Sequence, residues 1–552
     1  MTDRSVRRRP QLALLIASLA VSSIGHAAPP RTGAPPPAGA LLDSLGAMLA
    51  AHGNGRGMPA CDSCHGAHGE GNAAAGIPRL AGLAQPYLEE QLANVASGAR
   101  RPVIMTTLAG RLSPRERLAV ARYFSALPPP PPAPGGAPAG VASQAMIAGA
   151  VLGVRGHWAR GVPACSECHG DDGGGVGGHF PPLAGQPAAY LAQQLRAWRR
   201  GGRPDGPLGL MGAIARKLSA AEIRSAAAFY AAPAPLRREA RARARTLPVV
   251  APPTPPTPPT PPAPPAPPAP PAPPAPPAPP APAASGASFS PPPWTSLPGG
   301  EFGRVVLLGE RIFLQPRRYA AAYVHAALRC SSCHLDAGRR ADSSPLWAAY
   351  VAYPAYRSKN HRVNTFAERV QGCFRFSMNG AAPPLGDPVL VALEAYSYWL
   401  AHGAPTGVAL AGRGYPRLKA PRLAPDYARG AAVYEAQCAL CHGAGGAGRR
   451  GRDGAMVFPP LWGADSFNWG AGMTSFDKAA GFIKANMPFS RGGSLTDRQA
   501  WDVALFIDSQ ERPEDPRFAG DVAATRKKFH DSPYSMYGRK VAGRTLGGAA
   551  VH

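Results

Sequence analysis

The sequence predicts an all-α protein of four small modules, arranged in two halves that a proline-rich linker joins. Three observations predict this fold class. The pattern Cys-x-x-Cys-His occurs four times, two stretches in the first half repeat each other at an offset of 104 residues, and prolines crowd residues 252–282. A chain of 552 residues is long enough for several domains of ordinary size.

Residues 1–27 are predicted to be a secretory signal peptide. Four arginines precede an apolar run, and the small residues Gly25 and Ala27 stand before the expected cleavage point. A membrane anchor is the alternative, but the apolar run is too short to span a bilayer comfortably. Since no later stretch is long and apolar enough for a transmembrane helix, we expect a periplasmic protein without a membrane anchor.

Eight of the nine cysteines belong to the four Cys-x-x-Cys-His units. Two cysteines followed directly by a histidine are the attachment signature of c-type haem, with two thioether bonds and a proximal imidazole. Disulfides are common in exported proteins, and zinc or thioredoxin-like sites also use paired cysteines, but neither requires a histidine at this place four times. The sequence therefore predicts four covalently bound haem c groups, held by Cys61/Cys64/His65, Cys165/Cys168/His169, Cys330/Cys333/His334 and Cys438/Cys441/His442.

The first half, residues 41–127 and 141–232, consists of two copies of one module. The segment Met58–Gly66 aligns with Val162–Gly170, and each copy closes with a helix that a capping box begins. The order of helix, haem motif, glycine-rich loop, middle helix, ligand loop and capped helix is that of a class I cytochrome c. The capping boxes are Ser113 with Glu116, and Ser219 with Glu222.

Met105 and Met211 are the candidate sixth iron ligands of this half. They follow His65 and His169 by 40 and 42 residues, and each stands just before a capped helix. A methionine is more often a core filler, but the matched positions favour ligation. Because His/Met ligation raises the reduction potential of haem, this half suits electron acceptance and resembles the tandem diheme class I cytochromes that carry electrons.

Residues 233–293 are predicted to be a basic and proline-rich linker. Its proline tract cannot pack a core and should form a semi-rigid polyproline II spacer. Such a tether would keep the first half at high effective concentration near the second half.

The second half is predicted to contain two further haem modules, residues 294–404 and 421–515. The first contains Cys330–His334, a basic segment and a helix that starts at Asp387-Pro388 and ends near Gly403. The other ends in a helix opened by the capping box of Thr496 and Gln499. For the basic, glycine-rich tail of residues 516–552 we expect little regular structure.

Cys373 is the one cysteine outside the haem motifs. Its place among arginines, close in sequence to a haem motif, favours a thiolate and suggests chemistry on an anionic sulfur compound. An inert buried cysteine is the alternative. If the segment is helical, Arg369 and Ser377, four residues before and after, would flank the cysteine on one face; otherwise they would form a surface ion pair and a backbone cap.

The chain is strongly basic, with a net charge of +26 that becomes +23 when residues 1–27, with four arginines and one aspartate, are removed. Nucleic acid is not an expected partner, because an exported haem protein has little access to it. An anionic substrate, an acidic redox partner or the membrane surface fits the charge; a generally basic proteome would also explain much of it.

Residues of roughly 300–515 resemble the diheme thiosulfate dehydrogenases that form tetrathionate. The resemblance rests on CSSCHLDAG, VNTFAERVQGCFRFSMNG, CALCHGAGG with FPPLWG, and FIKANMPF followed by LTDRQAWDVALFI. It implies that His334 and Cys373 ligate the catalytic iron and that Arg369 and Ser377 lie near the substrate. From their charge alone, Arg357 or Lys359 is expected to add to the positive charge of the site. Two dianions must be held together while they join, which requires such fixed charge.

The resemblance also implies ligands for the last haem, His442 and Met487, which are 45 residues apart. Met456 and Met473 are weaker candidates. Some family members have a lysine directly before this methionine; here the residue is Asn486, and Lys484 is out of register. A lysine-to-methionine ligand switch is therefore not expected at that position.

Fusions of a diheme carrier to this enzyme occur in the family, and residues 41–515 resemble one. The implied function is oxidation of two thiosulfate ions to tetrathionate, with electrons passing from the His334 haem to the His442 haem, the carrier haems and a downstream cytochrome or terminal oxidase. Three alternatives stay open: the same site run backwards as a tetrathionate reductase, an electron-transfer protein without a catalytic site, and a diheme peroxidase.

Overall fold

The computed structural model describes residues 38–130, 142–246, 288–357 and 360–548. The expected signal peptide, the proline tract of residues 252–282 and Lys359 lie outside the described residues. Contacts divide the chain between Leu41 and Leu42, inside the first helix. Apart from the beginning of that helix, everything below concerns the unit from Leu42 onward.

The two repeats of the first half fold as matching sets of helices, and both predicted capping boxes are present. The expected ligand loops are instead short helices, because each run buries apolar side chains, Ala109 in one and Leu210 in the other. The helices are α1 (Ala38–His52), α2 (Asp62–His65), α3 (Gln85–Ala96), α4 (Val103–Ala109) and α5 (Pro114–Ala126), then α6 (Gln144–Val154), α7 (Ser166–His169), α8 (Ala188–Arg199), α9 (Leu210–Ala215), α10 (Ala220–Ala231) and α11 (Ala234–Thr246).

Helix α11 corrects the predicted boundary of the linker, because residues 234–246 belong to the second module. Ala240 and Ala244, one turn apart, are fully buried in a cluster with Ile147 of α6 and Phe229 of α10. The arginine-rich composition had indicated a solvated linker. Small alanines at helical spacing were enough to give this helix a buried face.

The third module places the segment with Cys373 between a hairpin and a long helix. Strands β1 and β2 pair antiparallel, with Arg357 opposite Arg362. The final helix begins at the Asp387 cap as expected, since its side chain accepts a hydrogen bond from the Val389 backbone N–H. The elements are α12 (Gly300–Leu314), α13 (Pro316–Tyr319), α14 (Leu335–Gly338), α15 (Leu346–Tyr350), β1 (Ala355–Arg357), β2 (Arg362–Asn364), α16 (Phe366–Gly372), a π-helical segment (Cys373–Ser377) and α17 (Pro388–Leu400).

The fourth module contains the predicted capped helix, whose capping box joins Thr496 and Gln499. One further helix and a small hairpin follow it. The elements are α18 (Tyr427–Gln437), α19 (Ala439–His442), β3 (Arg449–Arg450), β4 (Met456–Phe458), α20 (Phe476–Asn486), α21 (Asp497–Asp508), α22 (Val522–Phe529), β5 (Lys540–Val541) and β6 (Arg544–Thr545).

The expectation of little regular structure after residue 515 was therefore wrong. Tyr537 and Leu546 are buried in the core of the fourth module, and the Tyr537 ring lies edge-on to Trp469 at 5.5 Å. The basic, glycine-rich composition concealed a few apolar side chains that anchor the tail, which makes the tail part of the module.

All four modules share one helix crossing, where a glycine of the first helix lies directly against the backbone of a later long helix. A Cβ at each of these glycines would lie 2.0–2.3 Å from a carbonyl oxygen of the partner helix, so a larger residue would push the helices apart. The crossing supports one common fold for the four modules. The pairs are Gly46 with Ala119, Gly149 with Ser225, Gly309 with Ala392, and Gly430 with Asp502.

Within the described ranges, no helix has both the length and the apolar character needed to cross a bilayer.

Candidate active site

The histidines of the four Cys-x-x-Cys-His units are all held in the same way. In each, Nδ1 contacts a backbone carbonyl oxygen, which leaves Nε2 free to bind iron. Burial lowers the pKa of each imidazole, to about 4 for His334, so the neutral form that ligates a metal is favoured. The contacts are His65 to Pro78 at 3.0 Å, His169 to Pro181 at 2.8 Å, His334 to Ser344 at 2.6 Å and His442 to Pro459 at 2.8 Å.

The cysteines of these units also fit covalent haem c. None of the nine cysteines is paired in a disulfide, so the motif pairs are available for thioether bonds. Across the described part of the chain, no three or more His, Cys, Asp and Glu side chains gather into a site for a bare metal ion. A zinc site needs such a cluster, whereas haem c needs two thiols and one imidazole from a single motif.

Cys373 begins the π-helical segment that directly continues α16. The capping box of Thr365 and Glu368 starts α16 after the β1–β2 hairpin and so fixes where the helix begins. One turn further along, Arg369 donates a hydrogen bond from Nη1 to Cys373 Sγ at 2.9 Å. Electrostatic attraction to Cys373 is the largest cause that raises the pKa of Arg369. Ser377 is the last residue of the π-helical segment and is half-buried.

Cys373 lies close to the haem motif of the third module. Burial is the main cause that raises the pKa of the Cys333 thiol to about 12, and the charge of Cys373 adds to the shift. The charge of Arg369 likewise contributes to the lowered pKa of His334, after burial. Cys333 and Cys373 are 40 positions apart in sequence, and the fold brings them into one site.

Two tyrosines that the sequence analysis did not single out also belong to this site. Tyr353 accepts a hydrogen bond from Arg357 Nη1 at 2.6 Å, and Tyr353 and Tyr415 both add to the raised pKa of Arg369. Arg357 is thus linked to the site by its hydrogen bond to Tyr353. Tyr415 comes from the connection between the third and fourth modules, where no motif marked it. A phenol next to a basic cluster is too common a pattern for the sequence to have identified either one.

The methionines proposed as iron ligands are all half-buried at the ends or within short helices. Met105 lies in α4, Met211 in α9, and Met487 directly follows α20. Lys484, which the sequence placed out of register, is engaged elsewhere: Nζ donates a hydrogen bond to the Leu495 carbonyl oxygen at 2.6 Å. Met456 lies in β4, and Met473 packs between the cores of the third and fourth modules.

Comparisons with known proteins agree with this architecture. A family model described as cytochrome C oxidase, cbb3-type, subunit III, matches residues 154–229 and 425–507. The chain is similar to thiosulfate dehydrogenases of Thiomonas intermedia (60% identity, 48% of this chain, 83% of the relative) and Stutzerimonas stutzeri (52%, 47% and 85%). It is also 48% identical to a thiosulfate dehydrogenase electron acceptor of Stutzerimonas stutzeri, over 31% of this chain and 78% of the relative.

A solved structure matches both halves together. The thiosulfate dehydrogenase TsdBA of Marichromatium purpuratum is 44% identical, with 92% of this chain and 99% of that chain covered and a TM-score of 0.78. The chain belongs to the thiosulfate dehydrogenase family. A relative named cytochrome c4 is also matched, and the histidine and cysteine geometry described above fits haem c.

In this chain, the second and fourth haem motifs face each other. Phe180 and Phe458 contact at 4.9 Å between ring centroids, and each lies edge-on to the histidine of its own motif, His169 or His442, at 6.5 Å. The four rings form a continuous aromatic contact from one haem module to the other. We call this set the aromatic junction.

The third module also contacts the first half of the chain. Arg329, directly before its haem motif, forms an ion pair with Asp171 at 3.2 Å, and both side chains are largely buried. Arg340 donates a hydrogen bond to the Trp158 carbonyl oxygen at 3.2 Å. The second carrier module therefore touches both modules of the enzyme half.

Proposed function

We propose that this chain is a periplasmic enzyme with four covalently bound haems that oxidises two thiosulfate ions to tetrathionate and passes the electrons to its own diheme carrier. The observation that carries the proposal is the 2.9 Å contact between Arg369 and Cys373, next to a haem motif. Family membership supports the substrate, since relatives named thiosulfate dehydrogenase reach 60% identity.

The proposed haem ligands are those expected from the sequence. Each haem is bound by the two cysteines of its motif. The proposed axial pairs are His65 with Met105, His169 with Met211, His334 with Cys373, and His442 with Met487. When bound at His334, haem supplies an electron acceptor and an iron position that the Cys373 thiolate can reach.

The proposed reaction at Cys373 balances in two steps. The thiolate forms a sulfur–sulfur bond to the outer sulfur of one thiosulfate, which gives Cys-S-S-SO₃⁻ and releases two electrons to the haems. A second thiosulfate then attacks that outer sulfur, forms tetrathionate and leaves the Cys373 thiolate as it was. No proton is consumed, so the site needs cations to hold the ions and no general acid.

Positive charge is the main requirement of this site, because both substrates are dianions. Arg369 has donors left over after its contact with Cys373, since a guanidinium carries five N–H groups. Arg357 is held towards the site by Tyr353. We propose that both bind thiosulfate, that Ser377 adds a hydroxyl donor, and that Lys359, which lies outside the described residues, contributes further charge.

The proposed electron route runs from the third haem to the fourth, through the aromatic junction to the second, and then to the first. The first motif supports an exit point, because Cys64 is exposed while the cysteines of the other three motifs are half-buried. We propose that a downstream cytochrome or terminal oxidase receives the electrons there.

The experiment that tests the proposal compares wild type with Cys373→Ala. We expect the oxidised wild type to show a low-spin electron paramagnetic resonance signal of His/thiolate ligation. The variant should lose this signal and thiosulfate-dependent tetrathionate formation together. Pyridine haemochrome analysis provides the control, since both proteins should contain four haems per chain. Unchanged spectra and turnover would remove the catalytic role of Cys373 and leave an electron-transfer protein.

A further inference from the structure

The end of the π-helical segment is held by a residue from a different module. In this segment the Met378 backbone N–H bonds to the Cys373 carbonyl oxygen, five residues back, at 3.0 Å. The carbonyl oxygens of Arg375 and Phe376 face the fourth module, where Asn468 donates to both. The distances are 2.9 Å from Asn468 Nδ2 to the Arg375 oxygen and 3.2 Å from the Asn468 backbone N–H to the Phe376 oxygen.

The amide of Asn468 is itself fixed in orientation. Nδ2 donates a second hydrogen bond to Asn379 Oδ1 at 3.0 Å, and Oδ1 accepts one from the Gly470 backbone N–H at 3.0 Å. Asn468 is 1% exposed, so water cannot replace these contacts readily. Both amide hydrogens and the amide oxygen are therefore used to join the two modules.

The C-terminal tail packs against both the π-helical segment and the loop that contains Asn468. The Arg517 guanidinium lies over the Phe376 ring at 4.9 Å, and Asp515 accepts hydrogen bonds from both Arg517 and His530. Trp469, the neighbour of Asn468, packs against Tyr537 of the tail. The loop that contains Asn468 is thus held in place by packing contacts with the C-terminal tail.

We propose that Asn468 is a positioning residue that determines the orientation of the Cys373 side chain towards the iron. Because Asn468 satisfies the two carbonyl groups at the helix end, the segment keeps its π-helical register, which determines the direction of the Cys373 side chain. Without the Asn468 side chain, the Arg375 carbonyl oxygen lacks its donor and only the backbone contact to Phe376 remains, so the segment can tighten to the α-helical register, which turns Cys373 about the helix axis. The inference rests on the proposed ligation of iron by Cys373.

The test substitutes Asn468→Ala, with Thr474→Val as the matched control. Thr474 lies close to Asn468 in the chain and is also buried. Its hydroxyl contacts the carbonyl oxygens of Trp469 and Ala471, which lie outside the π-helical segment. We expect Asn468→Ala to lose most of the His/thiolate signal and to lower kcat by about tenfold or more, as expected for partners that orient a metal ligand. KM should change less, because Arg369 remains in place. Thr474→Val should keep the wild-type spectrum and kcat.

Asn379→Gly provides a milder second variant. Asn379 has a φ of +47°, a conformation that glycine adopts freely, so the change removes one acceptor without backbone strain. We expect a partial loss of the thiolate signal, smaller than that of Asn468→Ala, with an unchanged thermal midpoint.

The outcomes separate this inference from the proposed function. If wild type itself lacks the His/thiolate signal, the proposed ligation fails. If wild type shows the signal and Asn468→Ala and Asn379→Gly keep it with full turnover, the ligation stands and the positioning role of Asn468 is refuted. Equal loss in Asn468→Ala and Thr474→Val would also refute it, since that result would indicate a general loss of stability.

Discussion

Arg369 and Cys373 form a charge-assisted contact inside a half-buried site. A contact of this kind is stronger than a neutral hydrogen bond and shields a thiolate from the cost of lost hydration. Arg369 has two tasks in the proposed reaction, to stabilise the thiolate and to bind the dianion that approaches it. Both depend on a positive charge at one side chain.

The first prediction concerns Arg369→Gln. We expect kcat/KM for thiosulfate to fall by about 10²–10³, as for removal of a cationic group that faces developing or bound negative charge. Arg375→Gln is the control, since Arg375 lies in the same π-helical segment but is exposed. Steady-state kinetics on both variants measures this difference. An equal fall of kcat/KM in the two variants would indicate disruption of the helix and not loss of a substrate contact.

Some of these site residues could be predicted from the sequence, and others could not. The spacing of four residues on either side of Cys373 placed Arg369 and Ser377 on the same helix, because helical neighbours recur at that interval. It did not indicate that the helix turns into a π-helical segment exactly at the cysteine. Tyr353, Tyr415 and Asn468 were missed because each reaches the site through a contact that sequence spacing does not encode.

At the scale of elements, the buried carboxylate of Asp515 stabilises the C-terminal tail through its contacts with Arg517 and His530. Burial works against ionisation of Asp515, but hydrogen bonds from His530 and Arg517 outweigh it and hold the pKa of Asp515 well below its ordinary value. The carboxylate therefore stabilises the fold wherever it is ionised. Its contribution is fully present above about pH 4, where the unfolded chain is also ionised, and is lost as the pH falls further towards the lower folded pKa.

The second prediction is that Asp515→Asn lowers the free energy of unfolding by about 3 kcal/mol at pH 7, because one partner of a buried charged network is removed. The difference from wild type should shrink as the pH falls below about 4. Asp465→Asn is the control, since its ion pair with Arg450 is exposed and should contribute less than about 1 kcal/mol. Urea unfolding followed by circular dichroism at several pH values measures both; a pH-independent difference would contradict the assignment.

At the scale of the whole molecule, the first half of the chain is docked onto the second through specific contacts. The ion pair of Arg329 with Asp171 and the aromatic junction join the second module to both enzyme modules. The predicted role of the proline tract was to raise local concentration. A tether of that kind adds to a specific interface and does not replace it.

The third prediction is a charge exchange across this interface. Arg329→Glu places two like charges together and should weaken docking by about 2 kcal/mol. Reduction of the haems proposed for the first half after thiosulfate addition, followed by stopped-flow absorbance, should then slow several-fold. The double variant Arg329→Glu/Asp171→Arg should recover most of the rate. Failure of the double variant to recover would mean that Arg329 acts in some way other than its pairing with Asp171.

The sequence by itself determined the capped helices, and it predicted the modules, the candidate haem attachment residues and the candidate ligand Cys373, because each depends on spacing within one segment. The tertiary structure decided what depends on contacts between distant segments. Examples are the glycine crossing shared by the modules, the buried alanines of α11, the anchoring of the tail by Tyr537 and the hold of Asn468 on the cysteine segment. Composition described the tail and the linker as polar on average, whereas burial depends on the few side chains that find a partner in the folded chain.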